Sequence, residues 1–209
     1  MRLVLATANP EKAVELAAIL EEELGDLVEL VARPQLVGAV EETGESLEDN
    51  ARLKAVALVA ATGEAAVADD TGLEVAALGG APGARAARFA GEAATYADNV
   101  AKLLAALEGE TDRRAKFRTV VVCRFPDGVE IVGEGVVEGE IVQVPRGERG
   151  FGYDPVFAPE GGGGRTFAEM SPAEKHQLSH RGFALRSFAA RLLQTELAVP
   201  ARLPRLPTS

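Results

Sequence analysis

The first 31 residues alternate short apolar segments with a well-capped helix, and this alternation restricts the fold more than any other feature of the chain. Arg2 to Thr7 is an apolar run typical of a buried strand. Asn9 before Pro10 combines a helix N-cap with a proline at the first helical position, which predicts a helix to about Leu24. A second short strand over 28–31 completes a β-α-β unit, so we predict an α/β protein.

The rest of the chain continues this pattern and adds a long hairpin. We predict helices over 47–62 and 96–107, a strand over 65–68, paired strands over 116–125 and 129–144, a short helix capped by Ser171, and a last helix that begins after Ser179 and reaches about Leu197. Residues 78–90 and 150–164 are predicted to be loops. Together, β-α-β units and a hairpin predict a central mixed β-sheet flanked by helices.

Neither an internal repeat nor a linker divides the chain. Residues 1–197 are therefore predicted to form a single domain. Residues 198–209 contain three prolines and no apolar period, which predicts a disordered tail.

The composition excludes several classes of protein. The net charge of −10 argues against a nucleic-acid polymer as partner, because an acidic surface repels a phosphate backbone. The single cysteine, Cys123, excludes an internal disulfide and a multi-cysteine zinc site and suits a reducing compartment. The chain has neither a signal-peptide pattern nor an apolar run near the roughly 20 residues of a membrane span, so we expect a cytoplasmic protein without a membrane partner.

The junction between the first strand and the first helix has the chemistry of a phosphate site. A helix N-terminus presents backbone N–H groups and the positive end of the helix dipole, and Thr7 and Lys12 add a hydroxyl and an ammonium group. The whole candidate segment is Thr7, Ala8, Asn9, Pro10, Glu11 and Lys12. The alternative is a helix that is simply well capped, and the Walker pattern of P-loop proteins is absent.

Four carboxylates form a candidate metal site. Glu41 and Glu42 lie in a polar loop, while Asp69 and Asp70 follow the strand predicted over 65–68. Two adjacent carboxylates at the end of a buried strand are costly to dehydrate, which favours a functional reason for them. Carboxylates that converge from two segments suit Mg²⁺. For the glutamates alone, a solvated loop is the simpler interpretation.

The segment Gly150-Phe151-Gly152-Tyr153-Asp154-Pro155 can approach a flat ligand closely, because glycines flank aromatic side chains. Phe151 could stack on a base and Asp154 could accept a hydrogen bond from it. A purely structural aromatic corner is the alternative.

Polar residues cluster near the start of the last helix, in the segment 174–182. Arg181 opposes the helix dipole there, so its placement calls for a functional reason. Lys175 and His180 accompany it, and a solvated helix start is the alternative. The segment does not have the spacing of a Ser-His-Asp hydrolase.

These segments resemble, in order, the motifs of the inosine/xanthosine triphosphate pyrophosphatase family, which hydrolyses non-canonical purine nucleoside triphosphates. Thr7 to Lys12 match the family motif T-x-N-x-x-K, and Glu41 to Ala55 match E-E-T-G-x-(S/T)-x-x-x-N-A-x-x-K-A. Asp69 to Gly83 match D-D-S-G-L-x-V-x-x-L-G-G-A-P-G. Gly150 to Phe157 match G-F-G-Y-D-P-x-F, and Glu174 to Leu185 match E-K-x-x-x-S-H-R-G-x-A-L. The resemblance extends from Leu3 to about Leu193. Thr71 replaces the more frequent serine and keeps its hydroxyl.

The resemblance implies a two-lobed, Maf-like fold around a nucleotide-binding cleft and a Mg²⁺-dependent homodimeric enzyme that releases the monophosphate and pyrophosphate from ITP, dITP or XTP. By the same resemblance, Glu42 and Asp70 would position Mg²⁺ with Asp69 beside them, and Asp70 would take the proton of the attacking water. The triphosphate would lie against the segment 7–12 and Lys54. The remaining substrate-binding residues would be Thr71, Phe151, Gly152, Tyr153, Asp154, Lys175, His180 and Arg181.

Two other functions compete with this one. A Maf-like pyrophosphatase would act on modified or pyrimidine nucleotides, but the segments at 150–155 and 180–181 argue against it. A nucleotide-binding sensor without turnover would gain nothing from crowding Asp69 and Asp70 beside phosphates.

Overall fold

The computed structural model describes residues 1–198. Within this range the elements are β1 (Arg2–Leu5), α1 (Pro10–Leu24), β2 (Glu29–Val31), α2 (Leu47–Thr62), β3 (Ala65–Val75), β4 (Pro82–Gly83), α3 (Tyr96–Ala106), β5 (Arg114–Arg124), β6 (Glu130–Ile141), β7 (Phe157–Pro159), α4 (Pro172–Leu178) and α5 (His180–Ala198). Of the tail predicted to be disordered, only Ala198 falls in this range, as the end of α5, and the rest of that prediction lies outside the described residues.

The predicted helix starts are confirmed by their caps. The side chain of Asn9 accepts hydrogen bonds from two N–H groups of the first turn of α1, and Ser46 accepts one in α2. Ser171 and Glu174 form a reciprocal capping box on α4, and Ser179 accepts from the N–H of Gly182 at the start of α5. Local side-chain chemistry therefore sets where these helices begin.

The strands form one mixed sheet in the order β2-β1-β3-β5-β6-β7, with β4 paired to β3. Strand β1 is parallel to both β2 and β3, whereas the β3–β4 and β6–β7 pairs are antiparallel. The predicted α/β fold with a central mixed sheet and flanking helices is confirmed.

Strand β4 lies inside the segment 78–90 that was predicted to be a loop, and two further strand predictions were wrong. Strand β3 does not end at Ala68 but continues through both aspartates to Val75, because its second half pairs with β4, with Leu73 opposite Gly83. Strand β7 lies inside the segment predicted to be a loop and pairs with β6, with Phe157 opposite Ile141. In both cases a partner distant in the sequence supplies the hydrogen bonds.

The chain divides into two compact units, and three strands pass from one unit to the other. The first unit comprises Met1–Asp69, Val120–Glu134 and the chain from Ala184 onward, and the second comprises Asp70–Thr119 and Gly135–Phe183. The boundary in β3 falls between Asp69 and Asp70. The extent of a single domain over 1–197 stays a prediction.

In the first unit, helices cover both faces of β1 and β3. Leu3 and Val67 belong to an apolar cluster with α1 and α5, whereas Val4 and Ala66 belong to another cluster with α2. Alternate side chains of one strand thus enter different cores, as expected for strands buried on both faces. Between Met1 and Ala198, no helix has both the length and the apolar character needed to span a membrane.

The second unit has its own core. Phe117 of β5, Phe157 of β7 and the nearby Phe167 form mutual ring contacts, and Leu103 of α3 is buried in the same cluster. This aromatic core lies beneath several residues of the candidate site, which gives their side chains a rigid support.

Candidate functional site

The loop between β1 and α1 hydrogen-bonds to itself. The N–H of Asn9 donates to the Thr7 hydroxyl at 3.1 Å, and the Asn9 side chain accepts from the N–H groups of Glu11 and Lys12 at 2.9 and 3.2 Å. The N–H groups of Asn9, Glu11 and Lys12 therefore already donate to acceptors within this loop. Ala8, Pro10 and Glu11 are exposed on this loop.

Lys12 forms an ion pair with the first aspartate of β3. Its Nζ lies 3.2 Å from Oδ2 of Asp69, whose side chain is fully buried. A buried carboxylate is expensive unless a positive charge compensates it, so Lys12 stabilises Asp69 in its ionised form. Sequence reasoning placed both residues in the site but did not predict that they pair.

Lys54 of α2 forms a second ion pair in the same unit. Its Nζ lies 3.2 Å from Oε1 of Glu42. The loop carrying Glu42 is held by Asn50, a buried residue that sequence reasoning missed, whose Oδ1 accepts from the N–H of Gly44 at 2.8 Å. A Cβ on Gly44 would lie only 2.7 Å from that oxygen, so the close approach requires glycine. The N-A-x-x-K motif, which places Asn50 four residues before Lys54, was the signal that could have identified Asn50.

Arg33 is a further residue that sequence reasoning missed. Its guanidinium donates to the carbonyl of Ala6 at 2.8 Å and to those of Val37 and Gly38 at 3.2 and 2.6 Å. It therefore fixes the end of β1, directly before Thr7, to the following loop. Its sequence context offered no signal, since its hydrogen-bond acceptors are backbone carbonyls.

The two aspartates of β3 do not point the same way. Along this strand Ala65 and Val67 enter one core and Ala66 and Ala68 the other, and both aspartates lie within the strand. Continued alternation puts Asp69 on the side of Val67 and Asp70 on the side of Ala68. By this alternation, the strand presents the two carboxylates to opposite faces.

Each unit contributes a carboxylate with the oxygen donors that Mg²⁺ prefers. Among the described residues, no group of three His, Cys, Asp or Glu side chains is arranged to hold a metal ion. Mg²⁺ does not need such a cage, because it commonly binds one or two carboxylates together with waters and substrate phosphates. Glu42 and Asp70 are carboxylates of this kind.

A second cluster, all of it in the second unit, is built around Asp154. Nζ of Lys175 lies 2.6 Å from Oδ2 of Asp154, and both side chains are almost fully buried. The same oxygen accepts from the N–H of Phe151 at 2.8 Å. Gly150 adopts a φ of 74°, and a Cβ there would collide with the Asp154 carboxylate, so the motif requires glycine at this position.

Two cations lie near the ring of Phe151. Nζ of Lys175 lies 4.9 Å from the ring centroid and Cζ of Arg181 lies 5.5 Å from it. The ring of Tyr96 contacts Phe151 at a centroid distance of 5.9 Å. Cation–π attraction holds the two cations near this aromatic ring.

A chain of hydroxyl groups links the residues at the start of α5. Oγ1 of Thr119 lies 2.7 Å from Oγ1 of Thr71 and 2.6 Å from Nδ1 of His180, and Arg181 donates to Thr71 at 3.4 Å. The His180 ring also stacks on Phe117, with centroids 4.4 Å apart. Thr119 lies outside the five motifs, and sequence reasoning missed it.

Tyr153 is held within the protein. It is buried, and its hydroxyl donates to the carbonyl of Ala86 at 2.9 Å. Burial raises the pKa of this phenol above its ordinary value. Gly152 beside it adopts a φ of 63°. These contacts give Tyr153 the role of anchoring the loop that carries Phe151.

Comparison with known proteins agrees with the motif analysis. The model of the Ham1 family matches residues 3–191. A dITP/XTP pyrophosphatase of Syntrophobacter fumaroxidans is 48% identical over 188 residues, which cover 88% of this chain and 78% of that protein. One from Corynebacterium glutamicum strain R is 44% identical over 205 residues, covering 95% and 100%.

A solved structure extends the agreement to the fold. The HAM1 protein of Coxiella burnetii superposes with a TM-score of 0.83 at 40% sequence identity, covering 93% of this chain and 99% of that one. The resemblance drawn from the five motifs is confirmed, since a family model spans residues 3–191 and the two relatives are matched over 78% and 100% of their own length: the chain belongs to the Ham1 family.

Proposed function

We propose that this protein hydrolyses the non-canonical purine nucleoside triphosphates ITP, dITP and XTP to the nucleoside monophosphate and pyrophosphate. The observation that carries the proposal is the presence, in one chain, of two lysine–carboxylate pairs and of a half-buried aromatic ring, Phe151, beside two buried cations. The first chemistry suits phosphates and the second suits a flat base. Two relatives named dITP/XTP pyrophosphatase match 88% and 95% of this chain at 48% and 44% identity.

The first unit contributes the groups that neutralise the triphosphate. Lys12 and Lys54 are compact cations on helices, and each is held by a carboxylate at 3.2 Å. An ammonium group is a point charge that does not demand one direction of approach, so these lysines can turn to phosphate oxygens without rearranging the backbone. The loop 7–12 completes this part of the proposed site.

Asp70 is the proposed catalytic base, and Glu42 and Asp70 are the proposed ligands of Mg²⁺. The ion would neutralise the phosphates and the leaving pyrophosphate. Asp70 takes a proton from the water that attacks the α-phosphorus, and the bond to the bridging oxygen breaks. Asp69 is less suited to this step, because Lys12 already compensates its charge and alternation turns it to the other face of β3.

The second unit contributes the groups that would hold the purine, and they favour a 6-oxo base. Phe151 offers a stacking surface, and Lys175, His180 and Arg181 supply donors. Adenine brings a 6-amino group to these donors, and an unpaired buried donor costs roughly 1–3 kcal/mol. Guanine carries a 2-amino group that needs its own acceptor, which leaves hypoxanthine and xanthine.

From the family resemblance we further infer that the protein acts as a homodimer in the cytoplasm. Light scattering on the purified chain tests the dimer, for which a mass near twice 21.9 kDa is expected.

A substrate panel tests the proposed function. Pyrophosphate release is measured from ITP, dITP, XTP, ATP, GTP and UTP, with Mg²⁺ and with excess chelator. We expect the first three substrates to be preferred and the chelator to abolish turnover. A preference for UTP would favour a Maf-like enzyme, binding without release would favour a sensor, and full turnover in verified absence of metal would exclude the metal assignment.

A further inference from the structure

Arg33 connects two segments of the first unit through one guanidinium group. Its Nη1 donates to the carbonyl of Ala6 at 2.8 Å, and its Nη2 donates to the carbonyls of Val37 and Gly38 at 3.2 and 2.6 Å. The side chain is half-buried, and Ala6, directly after β1, is almost fully buried. The two terminal nitrogens of the planar guanidinium therefore serve different segments, which the single nitrogen of a lysine does less well.

The segment on the Ala6 side leads into the proposed phosphate loop 7–12. The N–H of Ala6 donates to the carbonyl of Val67 in β3 at 2.8 Å, so Ala6 is held through its N–H by the sheet and through its carbonyl by Arg33. The peptide group between Ala6 and Thr7 is planar. A hydrogen bond to its oxygen therefore also restricts the direction of the Thr7 N–H, at the start of the loop.

The segment on the other side leads toward Glu42. The N–H of Val37 donates to the carbonyl of Pro34 at 3.1 Å, which closes a tight turn directly after Arg33. This turn brings the carbonyls of Val37 and Gly38 back to the guanidinium of the residue that precedes it. Gly38 lies four positions before Glu42, so Arg33 also restrains the start of the loop that carries this proposed Mg²⁺ ligand.

Residues 32–46 form neither helix nor strand, and a segment of this length depends on side-chain contacts for its order. Its second half is tied to α2 by Lys54, which pairs with Glu42 at 3.2 Å. Arg33 ties its first half to the end of β1. The two contacts together restrain the loop at both halves.

We propose that Arg33 is a positioning residue that holds the phosphate loop 7–12 and the loop carrying Glu42 in one fixed arrangement. This assignment rests on the proposed function, because it links Arg33 to the binding of the triphosphate and of Mg²⁺ and not to the recognition of the base. The bridge between the two segments does not rest on that function, so it is tested separately.

Amide hydrogen exchange of the full chain tests the bridge without any substrate. Arg33→Met keeps an apolar stem and removes every donor of the guanidinium. Peptides covering residues 3–9 and 34–42 should both exchange faster in this variant than in the parent, because each segment loses a restraint. Unchanged exchange in either segment would overturn the proposal.

Steady-state hydrolysis tests the role in binding. For Arg33→Met, KM for ITP and the Mg²⁺ concentration for half-maximal rate should each rise by about tenfold, while kcat stays within a few-fold of the parent. The ITP-to-ATP ratio of kcat/KM should keep the parent's value, because both substrates carry the same triphosphate. A purely structural role would lower the amount of active enzyme and so kcat, without moving KM or the Mg²⁺ requirement, and that result would overturn the proposal.

Arg33→Lys and Arg191→Met are the comparison variants. Lysine keeps the charge but offers one nitrogen, so part of the rise in KM should remain, and a lysine variant that matched the parent would overturn the proposal. Arg191 also donates to a backbone carbonyl of the first unit, that of Val132 at 2.7 Å, and its methionine variant should keep the parent's exchange, KM and Mg²⁺ requirement. If the parent failed to hydrolyse ITP, the proposed function would fall, while the exchange experiment would still decide whether Arg33 bridges the two segments.

Discussion

In the first unit, ion pairs that are partly open to solvent hold the candidate site residues. In the second unit, a buried ion pair, hydrogen bonds to hydroxyl groups and ring contacts hold them. In the first, Lys12 and Lys54 pair with carboxylates at 3.2 Å, and parts of these groups reach solvent. In the second, Lys175 and Asp154 are almost fully buried, and hydroxyls and aromatic rings surround their neighbours. Point charges exchange partners easily, whereas buried hydrogen-bonded networks specify one geometry. The difference suits the proposed substrates, whose triphosphate is always the same and whose base has to be recognised.

Asp70→Asn should produce the largest effect. The side chain keeps its size but can no longer take a proton, so kcat should fall by roughly 10²–10⁴-fold. Stability without metal should not fall. Single-turnover hydrolysis of ITP at saturating Mg²⁺, paired with thermal unfolding, measures both, and Asp26→Asn at an exposed position is the control. Hydrolysis within a few-fold of the parent would remove Asp70 from the mechanism and shift the case to Asp69.

Lys175→Met should damage the second unit through stability. It leaves the buried carboxylate of Asp154 without its ammonium partner, a change that costs about 3–5 kcal/mol. Chemical denaturation measures the loss. The double variant with Asp154→Asn should lose less than the sum of the single variants. Additive losses would mean that Lys175 and Asp154 are not coupled. The buried pair of the second unit would then not differ in this respect from partly exposed ion pairs.

Arg181→Ala should impair base selection while leaving the metal requirement intact. The variant loses the guanidinium over Phe151 and the contact with Thr71. The ITP-to-ATP ratio of kcat/KM should fall by about tenfold, and the Mg²⁺ concentration for half-maximal rate should stay close to that of the parent. A retained ratio would refute the assignment of Arg181 to the purine.

Glu174→Gln should have the smallest effect, visible in acid. The backbone N–H of Ser171, then its hydroxyl and Arg165, hold the pKa of Glu174 at about 2, below the ordinary 4.5. Because the pKa is lowered in the folded state, the carboxylate stabilises the fold above about pH 4.5, and this contribution is lost as the pH falls toward 2. The melting temperature of the glutamine variant should therefore depend less on pH in that interval. An identical pH profile would contradict the role of this cap.

The sequence predicted elements whose causes are local. Asn9, Ser46 and Ser171 cap helices through contacts a few residues away, so their helix starts were predicted correctly. The motif order also sufficed to identify the family and to name most candidate site residues. The roles of those residues as ligands, base and purine contacts stay predictions, and the substitutions above test them.

Tertiary structure decided whatever depends on a distant partner. Strand β3 reaches Val75 because β4 pairs with it, and β7 forms because β6 offers an edge. The same holds for the pairing of Lys12 with Asp69, 57 positions later, and for the contact of Thr119 with His180, 61 positions apart. Hydrogen bonds and ion pairs depend on distance in space, and a linear sequence specifies such distances only within the few residues of a turn or a cap.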